Sequence, residues 1–229
     1  YYASTFFDGM DYASILVKTR EGRPIFISGN KNSKVTNGGV NARVNSSLLG
    51  LYDAKRAKGP AKKISGGWAK NLSWSAVDKE IGKGLRSVAS KNGNITILTN
   101  TIISPSSLEV INKFKAAYAA QGAEVNHVTY DALSASGLLD ANEKSFGKRT
   151  VPTYNFDQAK VIVSFGADFL SSWMNSLSYA SQYAEKRNPD GAWMNKHYQF
   201  ETTLSVTGSN ADVRAALKPS QISSALTYL

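Results

Sequence analysis

The chain has 229 residues, 42% of them hydrophobic, and a formal net charge of +10. This length and composition are enough to bury a core in one large domain or two small ones. The absence of cysteine excludes disulfides, thiolate zinc sites and cysteine-ligated iron–sulfur clusters within these residues, and no apolar run approaches the roughly 20 residues that cross a bilayer.

The first predicted element is a β-hairpin over residues 14–28 (SILVKTREGRPIFIS). Two alternating apolar runs flank a turn centred on Glu21 and Gly22. The next segments are predicted as a loop, a short helix and a basic loop (KRAKGPAKK), in residues 29–44, 45–52 and 55–63. The sequence therefore predicts an N-terminal β-rich region with a basic loop over residues 1–65.

From residue 66 to residue 229, helical and strand patterns alternate. Helices are predicted over residues 77–88, 108–121 and 169–185 and from Gln221. Strands are predicted over residues 68–74, 95–98, 124–130, 160–165, 197–204 and 212–217. The remaining segments, residues 140–151 and 205–211, are predicted as an irregular basic linker and a polar loop. This alternation indicates an α/β domain with a Rossmann-like parallel sheet and flanking helices.

Residues 159–173 (AKVIVSFGADFLSSW) predict a strand, a turn and the start of a helix. Gly166 lets the chain turn sharply without a Cβ clash, and Asp168 is expected to cap the helix that follows. At the carboxyl ends of such strands, backbone N–H groups and helix N-termini favour anions. A phosphate-binding turn and a plain structural turn are both consistent with this pattern.

Three strand ends rich in small or polar residues are expected to form the rim of a nucleotide-type crevice. They are residues 100–107, 166–169 and 207–212. Small residues would let the backbone approach a pyrophosphate. An acidic side chain at the next strand end, Glu201, is the candidate for contacting a ribose or a guanine.

Other kinds of chemistry have little support in the sequence. It contains no GxSxG or HExxH motif, and we interpret His127 and His197 as packed residues. The tryptophans are interpreted as core or interface residues. The positive charge suits nucleic acid, anionic lipid headgroups or an acidic protein partner, but no helix-turn-helix or RNP-like pattern is present.

A family resemblance is carried by six segments in matching order: FFDGMDYASILVKTREGRPIFISGN, GGVNARVNSSLLGLYDAKRAKGP, NLSWSAVDKEIGKGL, TNTIISPSSLEVINKF, FDQAKVIVSFGADFLSSW and TGSNADVRAALKPSQ. Together they resemble the molybdopterin oxidoreductase superfamily. They are most similar to the molybdopterin-like iron–sulfur subunit of bacterial alternative complex III, a quinol-oxidising respiratory complex.

In working enzymes of this superfamily, the crevice holds a bis-guanine-dinucleotide molybdenum cofactor. The resemblance implies that Gly166, Ala167 and Asp168 match one loop at the dinucleotide. It implies that Thr207, Gly208 and Asp212 match a second. This chain departs from the superfamily pattern because it has no cysteine cluster ahead of its GGVNAR segment and no soft metal ligand around residues 141–143. The resemblance therefore implies a vestigial, empty crevice with no catalytic residue and no metal ligand.

The resemblance also implies a place in an assembly. These residues would be the front part of a longer molybdopterin-like domain, with iron–sulfur clusters in a cysteine-rich region outside them. The expected partners are a multihaem cytochrome c and integral membrane quinol-binding subunits, at the periplasmic face of the bacterial inner membrane. Two alternatives stay open: an active bis-molybdopterin guanine dinucleotide oxidoreductase, and a basic nucleic-acid-binding protein.

Overall fold

The computed structural model describes residues 1–69 and 72–229, and they form two compact units. The first unit comprises Tyr1–Tyr52 and Ala135–Leu229, and the second unit comprises Asp53–Ser134. The architecture is mixed α/β with several small sheets, two of which contain parallel strands, so the predicted α/β class is confirmed. The predicted boundary between residues 65 and 66 lies inside the second unit.

The first unit begins with an antiparallel sheet of three strands in the order β1-β2-β3: Tyr2–Phe7, Tyr12–Arg20 and Arg23–Gly29. The predicted hairpin is confirmed as β2 and β3, whereas β1 is an addition to it. Glu21 and Gly22 have φ angles of 51° and 77°, as a two-residue hairpin turn requires. The sheet packs Ala13, Ile15 and Ile27 against Val44 and Leu177, and all five side chains are buried.

The loop after β3 packs closely against that strand. A Cβ on Gly29 would lie 2.0 Å from the carbonyl oxygen of Gly38, so only glycine permits this approach. Helix α1 (Ala42–Ser46) and a 3-10 helix (Ser47–Leu51) follow. Helical structure begins three residues earlier than predicted because the Asn41 side chain caps α1 by accepting a hydrogen bond from the Val44 N–H at 3.0 Å.

The second unit contains a small hairpin and a parallel βαβ arrangement. Its elements in chain order are β4 (Lys62–Ile64), β5 (Gly67–Ala69), α2 (Trp74–Ala89), β6 (Asn94–Thr99), α3 (Pro105–Ala119) and β7 (Glu124–Thr129). Strands β4 and β5 are antiparallel, and β6 and β7 are parallel. Ser73 caps α2 and Ser104 caps α3, so both predicted helices and both predicted parallel strands are confirmed. The predicted extended segment 68–74 overlaps β5 and lies partly outside the described residues.

The core of the second unit is small. Its buried apolar residues are Ala89, Ile95 and Ala123, with partly buried side chains of both helices and β7 packed against them. Leu98 is 66% exposed, so the prediction of a buried strand over residues 95–98 is wrong at that end. Trp68 and Trp74 are 60% and 67% exposed, so neither belongs to a core of this chain.

The first unit resumes with helix α4 (Ser136–Phe146), which overlaps the predicted irregular linker over residues 140–151. That prediction is wrong for residues 140–146, because Lys and Glu are good helix formers and the basic character of the segment does not prevent a helix. Gly147, in the left-handed conformation, ends α4 by donating its N–H to the Glu143 carbonyl at 2.8 Å.

The remaining elements alternate strand and helix: β8 (Val161–Phe165), α5 (Ser176–Glu185), β9 (Lys196–Glu201), α6 (Val206–Ser209), β10 (Val213–Ala216) and α7 (Pro219–Thr227). The three strands form a parallel sheet in the order β10-β9-β8. The helix predicted over residues 169–185 begins only at Ser176, and a single helical turn, α6, occupies the predicted polar loop. Ile162, Phe169, Tyr179 and Tyr183 form the core here.

The accessible surface of the chain is large for its size. It amounts to 15620 Å², whereas two separately folded units of these lengths would expose about 12,000 Å² in total. Many large apolar side chains of the described residues are exposed, among them Trp68, Trp74 and Tyr228. None of the described helices is both long and apolar enough to span a bilayer.

Candidate site at the carboxyl ends of β8 and β9

Five of the six predicted site residues lie at the carboxyl edge of the β8–β9–β10 sheet. Gly166, Ala167 and Asp168 follow β8 directly, and Thr207 and Gly208 belong to α6, which follows β9. Parallel strands place their carboxyl ends at one edge, so these two loops meet. The Thr207 N–H and hydroxyl donate to Asp168 Oδ1 at 3.0 and 2.8 Å.

The turn after β8 is organised by Gly166 and Asp168. Gly166 has a φ of 65°, and its N–H donates to the Phe200 carbonyl at 2.8 Å, which extends the pairing of β8 with β9. Asp168 Oδ2 accepts hydrogen bonds from the Ser172 N–H and hydroxyl at 3.0 and 2.8 Å. The expectation that Asp168 caps an α-helix is wrong, because this carboxylate holds an irregular turn and α5 starts eight residues later.

The Asp168 carboxylate stays ionised because of these contacts. Its partial burial would raise its pKa, but the hydrogen bonds from Ser172 and Thr207 outweigh burial, and the pKa lies below the usual aspartate value. The two loops are thus joined by a partly buried anion with four protein donors.

Glu201, at the end of β9, is 3% exposed and turned towards protein groups. It accepts hydrogen bonds from the Ser205 hydroxyl at 2.6 Å and from Arg214 Nε at 2.5 Å. Burial would raise its pKa, but these hydrogen bonds lower it below the usual glutamate value. A Cβ on Gly208 would lie 1.9 Å from Glu201 Oε1, so the glycine leaves room for this carboxylate rather than for a ligand.

Asp212 lies at the opposite edge of the sheet. It precedes β10, and its Oδ2 accepts the N–H of His197, near the start of β9, at 2.7 Å. Arg187 Nη1 donates to the same carboxylate at 3.0 Å. The structure therefore separates Asp212 from Thr207 and Gly208, because β9 and β10 are parallel and residues 207–212 run from one edge to the other.

The third predicted rim segment, residues 100–107, does not share this edge. It follows β6, which pairs with β7 in a separate two-stranded sheet of the second unit. The rim of three strand ends requires a single parallel sheet. That expectation is wrong, since the parallel strands are divided between two sheets.

A row of buried polar side chains along β9 is a feature that the sequence reasoning missed. His197, Gln199 and Glu201 are each at most 3% exposed. His197 Nε2 lies 3.2 Å from Gln199 Oε1, and Gln199 Nε2 donates to Glu201 Oε2 at 3.3 Å. Burial lowers the pKa of His197, so the imidazole is neutral near pH 7. The alternation H-x-Q-x-E is the available signal, because alternate residues of a strand share one face.

Both histidines are packed residues, as interpreted. His197 is fully buried and its Nδ1 lies 3.2 Å from the Tyr183 hydroxyl. His127 is half-buried in β7, and its Nε2 lies 2.8 Å from the Thr99 hydroxyl on β6. Neither imidazole is within a group of metal ligands: among residues 1–69 and 72–229 there is no cluster of three or more His, Cys, Asp or Glu side chains that could hold a metal ion.

A cavity of about 230 Å³ lies beside the turn after β8. Its lining is mainly aromatic and includes Phe156, Phe165 and Phe169. Tyr154 and Trp173 also line it, with stacked rings whose centroids are 5.8 Å apart. Such a lining can pack against an apolar ring, but it offers no cation to a phosphate.

The residues at this edge do not fit a guanine dinucleotide cofactor. A pyrophosphate placed there would meet the ionised carboxylates of Asp168 and Glu201, and like charges repel. The arginine beside Glu201, Arg214, is engaged in an ion pair with that carboxylate. Comparison of the sequence with models of known protein families and with curated proteins gives no match.

Proposed function

We propose that this chain is a structural, cofactor-less, molybdopterin-like portion of an electron-transferring subunit in a quinol-oxidising respiratory complex. The observation that carries the proposal is the closed carboxyl edge of β8 and β9. There Asp168 accepts hydrogen bonds from Thr207 and Ser172. Glu201 accepts one from Arg214. In this proposal, the edge corresponds to the place where a Rossmann-like molybdopterin domain would bind its dinucleotide. The six sequence segments supply the family assignment within the proposal.

In this proposed function the chain binds neighbouring subunits and catalyses no reaction itself. Its surface of 15620 Å² exceeds by about 3,500 Å² the area of two separately folded units of these lengths, and many large apolar side chains are exposed on it. Large exposed apolar patches are typical of surfaces that bind other proteins. The proposed neighbours are a multihaem cytochrome c and integral membrane quinol-binding subunits, at the periplasmic face of the inner membrane. The iron–sulfur clusters would lie outside these cysteine-free residues.

The test is purification of the native assembly through an affinity tag on this chain in its own host. We expect haem absorbance and quinol oxidation in the purified material, with no molybdenum by elemental mass spectrometry and no fluorescent pterin after oxidation. Stoichiometric molybdenum with pterin would contradict the proposal and support the active oxidoreductase. Material without haem or quinol oxidation would also contradict it, and bound nucleic acid released steeply by salt would support the nucleic-acid alternative.

A further inference from the structure

The second unit has a groove between its β4–β5 hairpin and α2. The groove has a volume of about 480 Å³. Its apolar lining residues include Leu72, Val77 and Ile81, and its charged lining residues are Lys62, Lys63 and Glu80. It lies within one unit, and it shares no residue with the closed edge of β8 and β9.

Two apolar lining residues, Val77 and Ile81, share a helix face with an exposed tryptophan. Trp74, Val77 and Ile81 are spaced by three and four residues on α2, so they share one face of the helix. Ile81 is 55% exposed and Trp74 is 67% exposed. Trp68 of β5 pairs directly with Lys63 of β4, so these side chains share a face of the hairpin. Exposed tryptophan beside isoleucine is the composition of a protein interface rather than of a solvated surface.

The surroundings of the groove are strongly basic. Residues 53–134 contain 12 Lys and Arg against 6 Asp and Glu, a net charge of +6 out of the +10 of the whole chain. Two of these basic residues, Lys62 and Lys63, line the groove, and Lys55, Arg56 and Lys58 belong to the loop that leads into β4. Glu80 forms an ion pair with Lys62, so the groove lining carries one net positive charge, that of Lys63.

We propose that this groove binds an acidic segment of a partner protein, with an apolar side chain of that segment inserted between the hairpin and α2. Charge complementarity specifies the sign of the partner, because a basic border attracts an acidic segment and repels a basic one. The concave shape favours a protruding chain over a flat lipid surface, since Leu72 and Val77 line the groove and are only partly exposed. The groove would bind such a segment whichever complex contains the chain.

The test places a photoreactive amino acid at Ile81 in the full chain, expressed in its own host. The matched control carries it at Leu226 of α7, which is 58% exposed and lies in the first unit. We expect protein adducts at position 81 in about tenfold excess over position 226. Mass spectrometry of the linked peptides is expected to show a segment of another protein with an excess of Asp and Glu around an apolar residue.

Charge reversal provides the second readout. The double variant K58E/K63E is expected to lower the adduct yield at position 81 by about tenfold, whereas K144E/K148E, with the same change in net charge in the first unit, leaves it unchanged. Adducts to lipid, to a second copy of this chain or to a basic segment would each overturn the proposal. An adduct yield at position 81 no higher than at position 226 would also overturn it.

Discussion

The two units differ in the number of apolar side chains that their cores bury. The first unit has two clusters of buried side chains, and its buried polar groups are mostly paired, as Asp11 and His197 illustrate. The second unit has one cluster, of which two members are alanines. The first unit therefore has the larger core, and the second unit is held by fewer buried apolar side chains.

The β6–β7 sheet of the second unit buries apolar side chains on one face only, among the residues that the structure describes. Ile95 pairs with Val125 on the face that α2 and α3 cover, whereas Leu98 pairs with Val128 on the other face. Leu98 and Val128 are both exposed. Parallel sheets are normally covered on both faces, and this one is covered on one face by the residues the structure describes.

The largest expected effect is a loss of stability in the first unit. Asp11 is fully buried and joins three segments, because Arg43, Asn41 and Ser176 all donate to its carboxylate. We expect Asp11→Ala to lower the free energy of unfolding by about 3 kcal/mol, since several hydrogen bonds to a charged group are lost. Urea titration followed by peptide-resolved hydrogen exchange measures this loss in each unit separately.

The matched control for Asp11→Ala is Asp53→Ala in the second unit. The exposed Asp53 carboxylate accepts a single backbone N–H, from Lys55, so a change within about 0.5 kcal/mol is expected. Equal losses from the two substitutions would contradict the assignment of Asp11 as the residue that joins the first unit.

A smaller effect is expected from acid. The pKa of His197 is lowered in the folded state, so below about pH 6.5 the unfolded chain binds a proton that folded His197 does not. Stability of the first unit therefore falls as the pH drops below about 6.5. The lowered pKa values of Asp168, Glu201 and Asp212 add a loss of the same sign at lower pH, below about pH 4.

His197→Gln removes the titrating imidazole while keeping a polar side chain on β9. We expect a smaller loss of stability between about pH 7.5 and pH 5 than in the natural sequence, measured by urea midpoints at the two pH values. An unchanged difference between the two midpoints would show that His197 does not set this dependence.

The smallest expected effect concerns the exposed apolar side chains on α2 of the second unit. Ile81→Ser in α2 is expected to change the free energy of unfolding of the isolated chain by less than about 0.5 kcal/mol, because the side chain is already exposed and Ser and Ile have similar helix propensity. Ile95→Ser, a change of the same residue type at a buried position, is expected to cost about 3 kcal/mol. Thermal and urea unfolding of both variants give the comparison, and a large loss from Ile81→Ser would place that side chain in a core.

Much of the local structure could be predicted from the sequence. The hairpin around Glu21 and Gly22, the caps at Ser73 and Ser104, and the strand ending at Phe165 depend on neighbouring residues, which propensity and spacing describe. Helix α4 is not predicted, because its basic residues are also typical of a loop. The start of α5 is predicted too early, because Leu170 and Trp173 continue the apolar spacing of that helix. In the fold these two side chains pack beside the core from an irregular turn.

The site could be predicted only in part, for a different physical reason. The sequence by itself determined which residues follow β8 and β9, that Gly166 allows a turn there, and that no cysteine is available for a metal. Only the tertiary structure decided that Asp168 contacts Thr207, that Asp212 lies at the other edge, and that residues 100–107 follow a strand of another sheet. Strand pairing joins residues far apart in the chain, and the sequence spacing of a segment does not specify which sheet it enters.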